Sequence, residues 1–208
     1  MSGAKHSLEI QKQPANNAIW RALLLGCLAL LALLMISVPF LTSGQGLWLG
    51  IDWIDGRKLF SIDDAYRYFV AKNALWMPSV LLWNYVMPVA LLFDVTLAGV
   101  SSGSLLAMRL CHAALGILTL AVIARASLRS GCHPLLTLAS LLIVGLMPLY
   151  IILSSSFYGE GLFAFLLALC FLLLIEGKGT LLALVAGLLP LVRPEGGIYS
   201  LLFLIYFG

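Results

Sequence analysis

The sequence predicts an all-α fold: a polytopic transmembrane helical bundle with amphipathic juxtamembrane helices in its first outer loop. Three observations carry this. Of 208 residues, 62% are hydrophobic and only 10% are charged, against about 25% charged in soluble domains. Several apolar runs approach the ~20 residues a helix needs to cross ~30 Å of hydrocarbon. Lipid gives backbone polar groups no partner, so each crossing must be helical. Finally, Trp48, Trp53, Trp76 and Trp83 all fall in one mixed stretch, 42–103, and Trp favours the membrane–water interface.

Taken in order, residues 1–17 are polar and read as a disordered cytoplasmic tail, and 18–208 as one transmembrane domain. The run Ala18–Leu41 exceeds the ~7–15 residues of a signal-peptide core and reads as an uncleaved signal anchor. The stretch 42–103 then lies along one surface as an outer loop. Inside it, Ser61-Ile-Asp-Asp64 has the form of a capping box, with Asp64 reaching back to the Ser61 N–H. Ile62, Ala65, Tyr66, Phe69 and Val70 make an i, i+3, i+4, i+7, i+8 stripe, while Asp63, Arg67 and Lys72 point elsewhere. This predicts a helix lying in the interface. Val80–Gly99 is apolar enough to cross but contains Asp94, which at mid-membrane costs about 2.5–3.5 kcal/mol. A second interfacial helix avoids that cost.

Further spans are expected at Leu105–Ala126, Pro134–Leu153 and Phe157–Ile175, with a shorter run at Thr180–Val192 interrupted by Arg193-Pro-Glu-Gly-Gly. The last run, Ile198–Phe207, amounts to about 15 Å of helix and cannot cross. Either the chain is a fragment truncated in its last helix, or it ends in a half-helix.

A net charge of +3 without a basic cluster excludes a nucleic-acid partner. Cys27, Cys111, Cys132 and Cys170 are scattered and imply no disulfide framework. Cys132-His133 supplies only two adjacent ligands, so no metal site is assigned. With 80–99 in the interface, Lys5, Lys12, Arg21, Arg125, Arg129 and Lys178 fall on one side. The positive-inside rule makes that side cytoplasmic, with the N-terminus on it. Most carboxylates fall opposite: Asp52, Asp55, Asp63, Asp64, Glu160 and Glu195.

The carboxylate pair has a local explanation. Asp in a first helical turn is favoured by about 0.3–1 kcal/mol, and Asp63–Arg67 is an ordinary i, i+4 pair. Capping occupies Asp64, however, and leaves Asp63 the freer carboxylate. At a water–lipid boundary it is placed to act as a general base between a polar acceptor and a lipid-borne donor. Arg193 is costly in a membrane and is either functional, paired with Glu195, or snorkelling. Glu160 opens a span, where the helix dipole alone would favour it. Arg109 and His112 share a face at i, i+3, about two turns deep if the span starts near Ser102. His112 reads as a buried histidine hydrogen-bonded to a neighbour. Tyr66 and Tyr68 read first as interfacial anchors and second as sugar-stacking platforms.

The order of these features is one span, the Asp63-Asp-Ala-Tyr66 helix continuing into Ala71-Lys-Asn-Ala-Leu75, and a Pro-containing apolar interfacial helix. A span opening with Met108-Arg-Leu110 follows, then Arg193-Pro-Glu-Gly196 after a short span. This order resembles the GT-C superfamily of integral membrane glycosyltransferases, which includes protein O-mannosyltransferases and lipid A aminoarabinose transferases. The resemblance runs over about 18–208 and covers an N-terminal portion only, since members have more spans and many carry a C-terminal extracytoplasmic domain. It implies transfer of a sugar from a polyprenyl-phosphate donor to an acceptor hydroxyl on a glycan, lipid or protein, outside the cytoplasm and with inversion. It also implies Asp63 as base with Asp64 as its acidic neighbour, and substrate contacts from Arg193, Glu195, Glu160, Arg109 and Tyr66. The setting it implies is a bacterial inner membrane, with membrane lipid as partner. No cofactor is assigned; some members use a divalent cation, for which this sequence shows too few ligands. The competing expectation is a non-catalytic membrane protein, either a transporter subunit or an assembly partner, or an inactive fragment of a transferase.

Overall fold

The computed structural model describes residues 14–43, 52–54, 57–59, 62–74, 76–77 and 88–207. Among them are nine helices: α1 (Pro14–Ser43), α2 (Ile62–Ala74), α3 (Pro88–Val100), α4 (Leu105–Arg129), α5 (Pro134–Gly145), α6 (Pro148–Ser154), α7 (Gly159–Ile175), α8 (Gly179–Val192) and α9 (Gly196–Phe207). A short antiparallel hairpin, β1 (Asp52–Ile54) with β2 (Arg57–Leu59), pairs Trp53 with Lys58 and lies beside α1 and α2. The chain is an all-α integral membrane protein. Ala18–Phe40 of α1 and all of α4 are long and apolar enough to cross, and α5 with α6 adds a third span if the bent pair counts as one.

The bend between α5 and α6 is 71°. Its cause is Pro148 at the start of α6: proline has no N–H to give and disfavours helical backbone in the residue before it. Met147 is accordingly extended, at φ −65° and ψ 120°. The span expected from Phe157 starts two residues later, at Gly159. Its 17 residues reach only about 26 Å, because Tyr158 before it is extended and Phe157 lies in a bend with its ring buried against Tyr68 and His112. α3, α8 and α9 are shorter apolar helices still.

Contacts at the helix ends fix the directions. The Phe157 ring, just before α7, meets His112 in the first half of α4 at 5.3 Å. Arg125 near the end of α4 bonds Glu176 at the end of α7. α4 and α7 therefore run parallel, with α5–α6 as the return leg. Arg193 at the end of α8 meets Glu160 at the start of α7, so α8 runs back against α7. Trp20 in α1 meets His133, which caps α5, at 5.8 Å. α1 thus starts at the end of the bundle where α4 and α7 finish. The molecule has a Glu176 end and a Glu160 end.

Lipid supplies no hydrophobic drive between helices, so close packing by small residues carries the association. α4 is the shared axis. On one side, Leu31 and Met35 of α1 and Leu141 of α5 pack on its Ala113, Leu120 and Ala124. There Gly116 lets Ser154 of α6 approach so closely that a Cβ at 116 would lie 2.5 Å from the Ser154 Cβ. On the other side α7 packs along α4, and Leu166, Cys170 and Leu173 of α7 join Leu182, Ala186 and Leu189 of α8 and Phe203 of α9. A third cluster joins Tyr68 and Ala71 of α2, Ala98 of α3, Leu105 and Met108 of α4, and Phe157.

α2 forms as expected, but its buried face is turned from the expected stripe. Tyr66 is 48% exposed, while Tyr68, Val70, Ala71 and Ala74 are buried. Tyr68 can face inward because its hydroxyl donates to the Gly103 carbonyl at 2.9 Å. Gly103, at φ +72°, makes the turn from α3 to α4 that presents this carbonyl.

Candidate functional site

The Glu160 end gathers the residues with chemistry. Three come from helices distant in sequence. Asp94 of α3 is 1% exposed, His112 of α4 is 3% exposed, and Arg67 of α2 is nearly buried between them and α7. His112 Nε2 donates to Asp94 Oδ1 at 2.9 Å; a carboxylate can only accept, so this fixes the ring's orientation. Arg67 Nη1 donates to the Phe157 carbonyl at 2.9 Å and stands 3.8 Å from Asp94 Oδ2. Phe93 and Phe157 close edge-on around the imidazole at 5.4 and 5.3 Å. His112 Nδ1 is buried and has no hydrogen-bond partner among the described residues.

The expectation that α3 would keep Asp94 out of an apolar interior is therefore answered differently. The carboxylate is inside, and its desolvation is offset by an imidazole and a guanidinium. Arg109 is fully buried one turn before His112 on the same helix. α4 starts at Leu105, so Arg109 lies about one turn, roughly 6 Å, into the helix instead of two.

A second group lies at the Arg193 turn. Arg193, the extended C-cap of α8, donates from Nη1 to Glu160, from Nε to Glu195 Oε2 at 3.2 Å, and from Nη2 to Glu195 Oε1 at 3.3 Å. The Glu195 hydrogen bonds, then the charge of Glu160, raise the Arg193 pKa. The Arg193 hydrogen bond holds the Glu195 carboxyl below the usual glutamate range. Arg193 and its near neighbour Glu195 thus form one unit with Glu160, 33 positions away from the arginine. The guanidinium is engaged by two carboxylates through three of its five N–H groups.

Beside Glu160 a cavity of about 120 Å³ runs between α4, α6 and α7, lined by Gly116, Thr119, Tyr150 and Ser154 among others. Its polar walls are satisfied by backbone: Tyr150 donates to the Gly116 carbonyl at 2.7 Å, Thr119 to Leu115 at 2.9 Å and Ser154 to Ile151 at 3.1 Å.

Asp63 and Asp64 lie in the first turn of α2, but their side chains, and Ser61 with its capping box, are outside the described residues. Tyr66 faces outward and joins neither group. Among the described residues no group of three or more His, Cys, Asp or Glu gathers to hold a metal ion. Sequence reasoning missed Asp94 and Arg67 as partners. The signal was there: an Asp in one apolar run and a His in the next, each costly alone, is a pair waiting to be matched.

Compared with known proteins, the chain matches no family model, and no curated protein or solved structure is significantly similar to it.

Proposed function

We propose that this membrane protein transfers a sugar from a polyprenyl-phosphate donor to an acceptor hydroxyl, at the Glu160 end, with that end facing out of the cytoplasm of a bacterial inner membrane. The observation that carries the reading is the anchoring of α2. Its Arg67 is tied to both the Phe157 carbonyl and Asp94, and its Tyr68 to the turn before α4. The helix whose first turn bears Asp63 and Asp64 is thereby held rigidly against the bundle, as a general base needs. The charge distribution supports the orientation: Arg21, Arg125, Arg129 and Lys178 share the opposite end with one described carboxylate, Glu176, as cytoplasmic loops do.

In this reading Asp63 takes the proton from the acceptor hydroxyl as the oxygen attacks the sugar C1 opposite the phosphate. The C1–O bond to phosphate breaks, the configuration inverts, and polyprenyl phosphate leaves with the electron pair. Arg193, held at the same end of the bundle by Glu160 and Glu195, is the cation this reading assigns to that phosphate. The test is release of polyprenyl phosphate from polyprenyl-phosphate sugars by membranes holding wild type or Asp63→Asn. Release abolished by the substitution supports the reading; no release from folded wild type overturns it.

One observation favours a second reading, a non-catalytic transporter subunit or assembly partner. The buried Asp94–His112 pair, together with the broken α5–α6 helix, is the kind of intramembrane polar arrangement such proteins use. That reading expects Asp63 substitutions to be tolerated and Asp94 substitutions to abolish function.

A further inference from the structure

We infer that the groove between α1 and α4 at the Glu176 end is a binding site for one anionic phospholipid, its phosphate held by Arg21 and Arg129 and an acyl chain lying along the groove floor. The groove has a volume of about 420 Å³. Leu24, Leu25 and Leu28 of α1 form one wall and Leu128 of α4 contributes to the other, while Arg21, Arg125 and Arg129 stand at its mouth. Leu25 is 67% exposed, so among the described residues nothing covers that wall and the groove opens to the hydrocarbon.

Charge complementarity names the occupant. The guanidiniums of Arg21 and Arg129 make no hydrogen bond or ion pair with a described residue. Arg125 is held by Glu176 at 2.7 Å, and that same carboxylate also takes Lys178 at 2.6 Å. The one described acid at this end is thus saturated, and two guanidiniums are left to bind an anion. The depth is right as well. Trp20, packed edge-on against His133, immediately precedes Arg21, and Trp sits at the headgroup level of a bilayer. Arginines at headgroup depth beside a leucine-lined crevice match a lipid, which carries phosphate and alkyl chain in that order; basic pockets between helices bind anionic headgroups in this way. A free phosphate would leave the crevice unfilled. The inference is independent of the proposed transferase activity, which concerns the other end.

The experiment is native mass spectrometry of the full chain released from detergent, titrated in parallel with phosphatidylglycerol, phosphatidylcholine and inorganic phosphate. Phosphatidylglycerol should bind at one site at least tenfold more tightly than phosphatidylcholine, and excess inorganic phosphate should not displace it. Arg21→Gln/Arg129→Gln should weaken it about thirtyfold, the factor for two surface cations facing a phosphate. Lys72→Gln, at the other end, should leave it unchanged. Leu25→Trp, which fills the groove from an exposed position, should weaken both lipids. Equal binding of the two lipids, displacement by phosphate alone, or wild-type affinity in the double variant would each overturn the inference.

Discussion

His112 Nε2 lies 2.9 Å from Asp94 Oδ1 in a part of the bundle where both side chains are almost wholly buried. The contact joins α3 to α4 at a depth no water reaches freely, with Arg67 completing it from α2. Removing the carboxylate takes the hydrogen-bond partner from a buried imidazole and the facing charge from Arg67, which keeps its bond to the Phe157 carbonyl. Asp94→Leu should therefore destabilise the protein by about 3–5 kcal/mol. Asp94→Asn, which keeps an oxygen for His112, should lose only about 1–3 kcal/mol. Thermal unfolding in detergent orders the two variants; equal losses would mean the charge contributes nothing.

Gly116 should be intolerant of the smallest enlargement. Gly116→Ala places a methyl group 2.5 Å from the Ser154 Cβ, and such overpacking costs about 1–3 kcal/mol. Ser154→Gly in the same chain should restore most of the loss. Gly26→Ala, whose Cβ meets nothing within 4 Å, should be close to neutral. The comparison is again by unfolding midpoint.

The α7–α8 turn should weaken in acid. Hydrogen bonds from Lys178, then Arg125, hold the Glu176 carboxyl below the usual glutamate range. A depressed acid adds stability in full above its unfolded pKa, and that contribution fades as pH falls through the lower folded value. The protection of the Gly177 amide against hydrogen exchange, taken relative to the intrinsic rate at each pH, should therefore fall on acidification at the low end of the glutamate range and below. Glu176→Gln should remove most of that pH dependence; an unchanged profile would show that the turn does not feel the pair.

Arg193→Lys keeps the charge but not the planar fork that reaches Glu160 and Glu195 at once. The join between the start of α7 and the end of α8 should loosen, seen as faster exchange around 193–197. In the transferase reading, polyprenyl phosphate release should fall at least tenfold. Activity at the wild-type level would remove Arg193 from the reaction.

Orientation has its own probe. Cys132 is exposed in the α4–α5 turn, Cys111 is exposed on the body of α4, and Cys27 and Cys170 are buried. A membrane-impermeant maleimide should label Cys132 in inside-out vesicles and not in intact cells, with little reaction at Cys111, which faces lipid. Labelling of Cys132 from outside would reverse the proposed topology.

The helices α1, α4, α7, α8 and α9 were legible because each coincides with an apolar run bounded by Pro, Gly or charge, whereas the single span expected over Pro134–Leu153 is a pair, α5 and α6, bent by 71° at Pro148. What a single helix could not reveal was the depth at which it meets its neighbours. Arg67 bonds a carbonyl 90 positions away, and no local spacing encodes that. The face of α2 was misjudged for a related reason. An apolar stripe counts side chains that shun water, whereas here Tyr68 turns inward with its hydroxyl satisfied, and Arg67 reaches a buried carboxylate. Asp63 and Asp64 were read as a helix opening, and their positions in the first turn of α2 agree with that. The pairing of Arg193 with Glu195 was legible from their spacing, whereas Glu160 needed the antiparallel α7–α8 arrangement before it could join them.

The cores on either side of α4 also order events during synthesis. A chain leaves the ribosome N-terminus first. The cluster of α1, α4 and α5 is complete once the chain has been made as far as Gly145. That trio can settle in the membrane while α7, α8 and α9 are still unmade. The later helices then dock on a face of α4 that is already presented, with Arg193 meeting Glu160 once α8 is made and α9 packing on afterwards. A defect in α1 should therefore scramble insertion of everything downstream, whereas one in α8 should leave an early, correctly inserted intermediate waiting for a partner it cannot recruit.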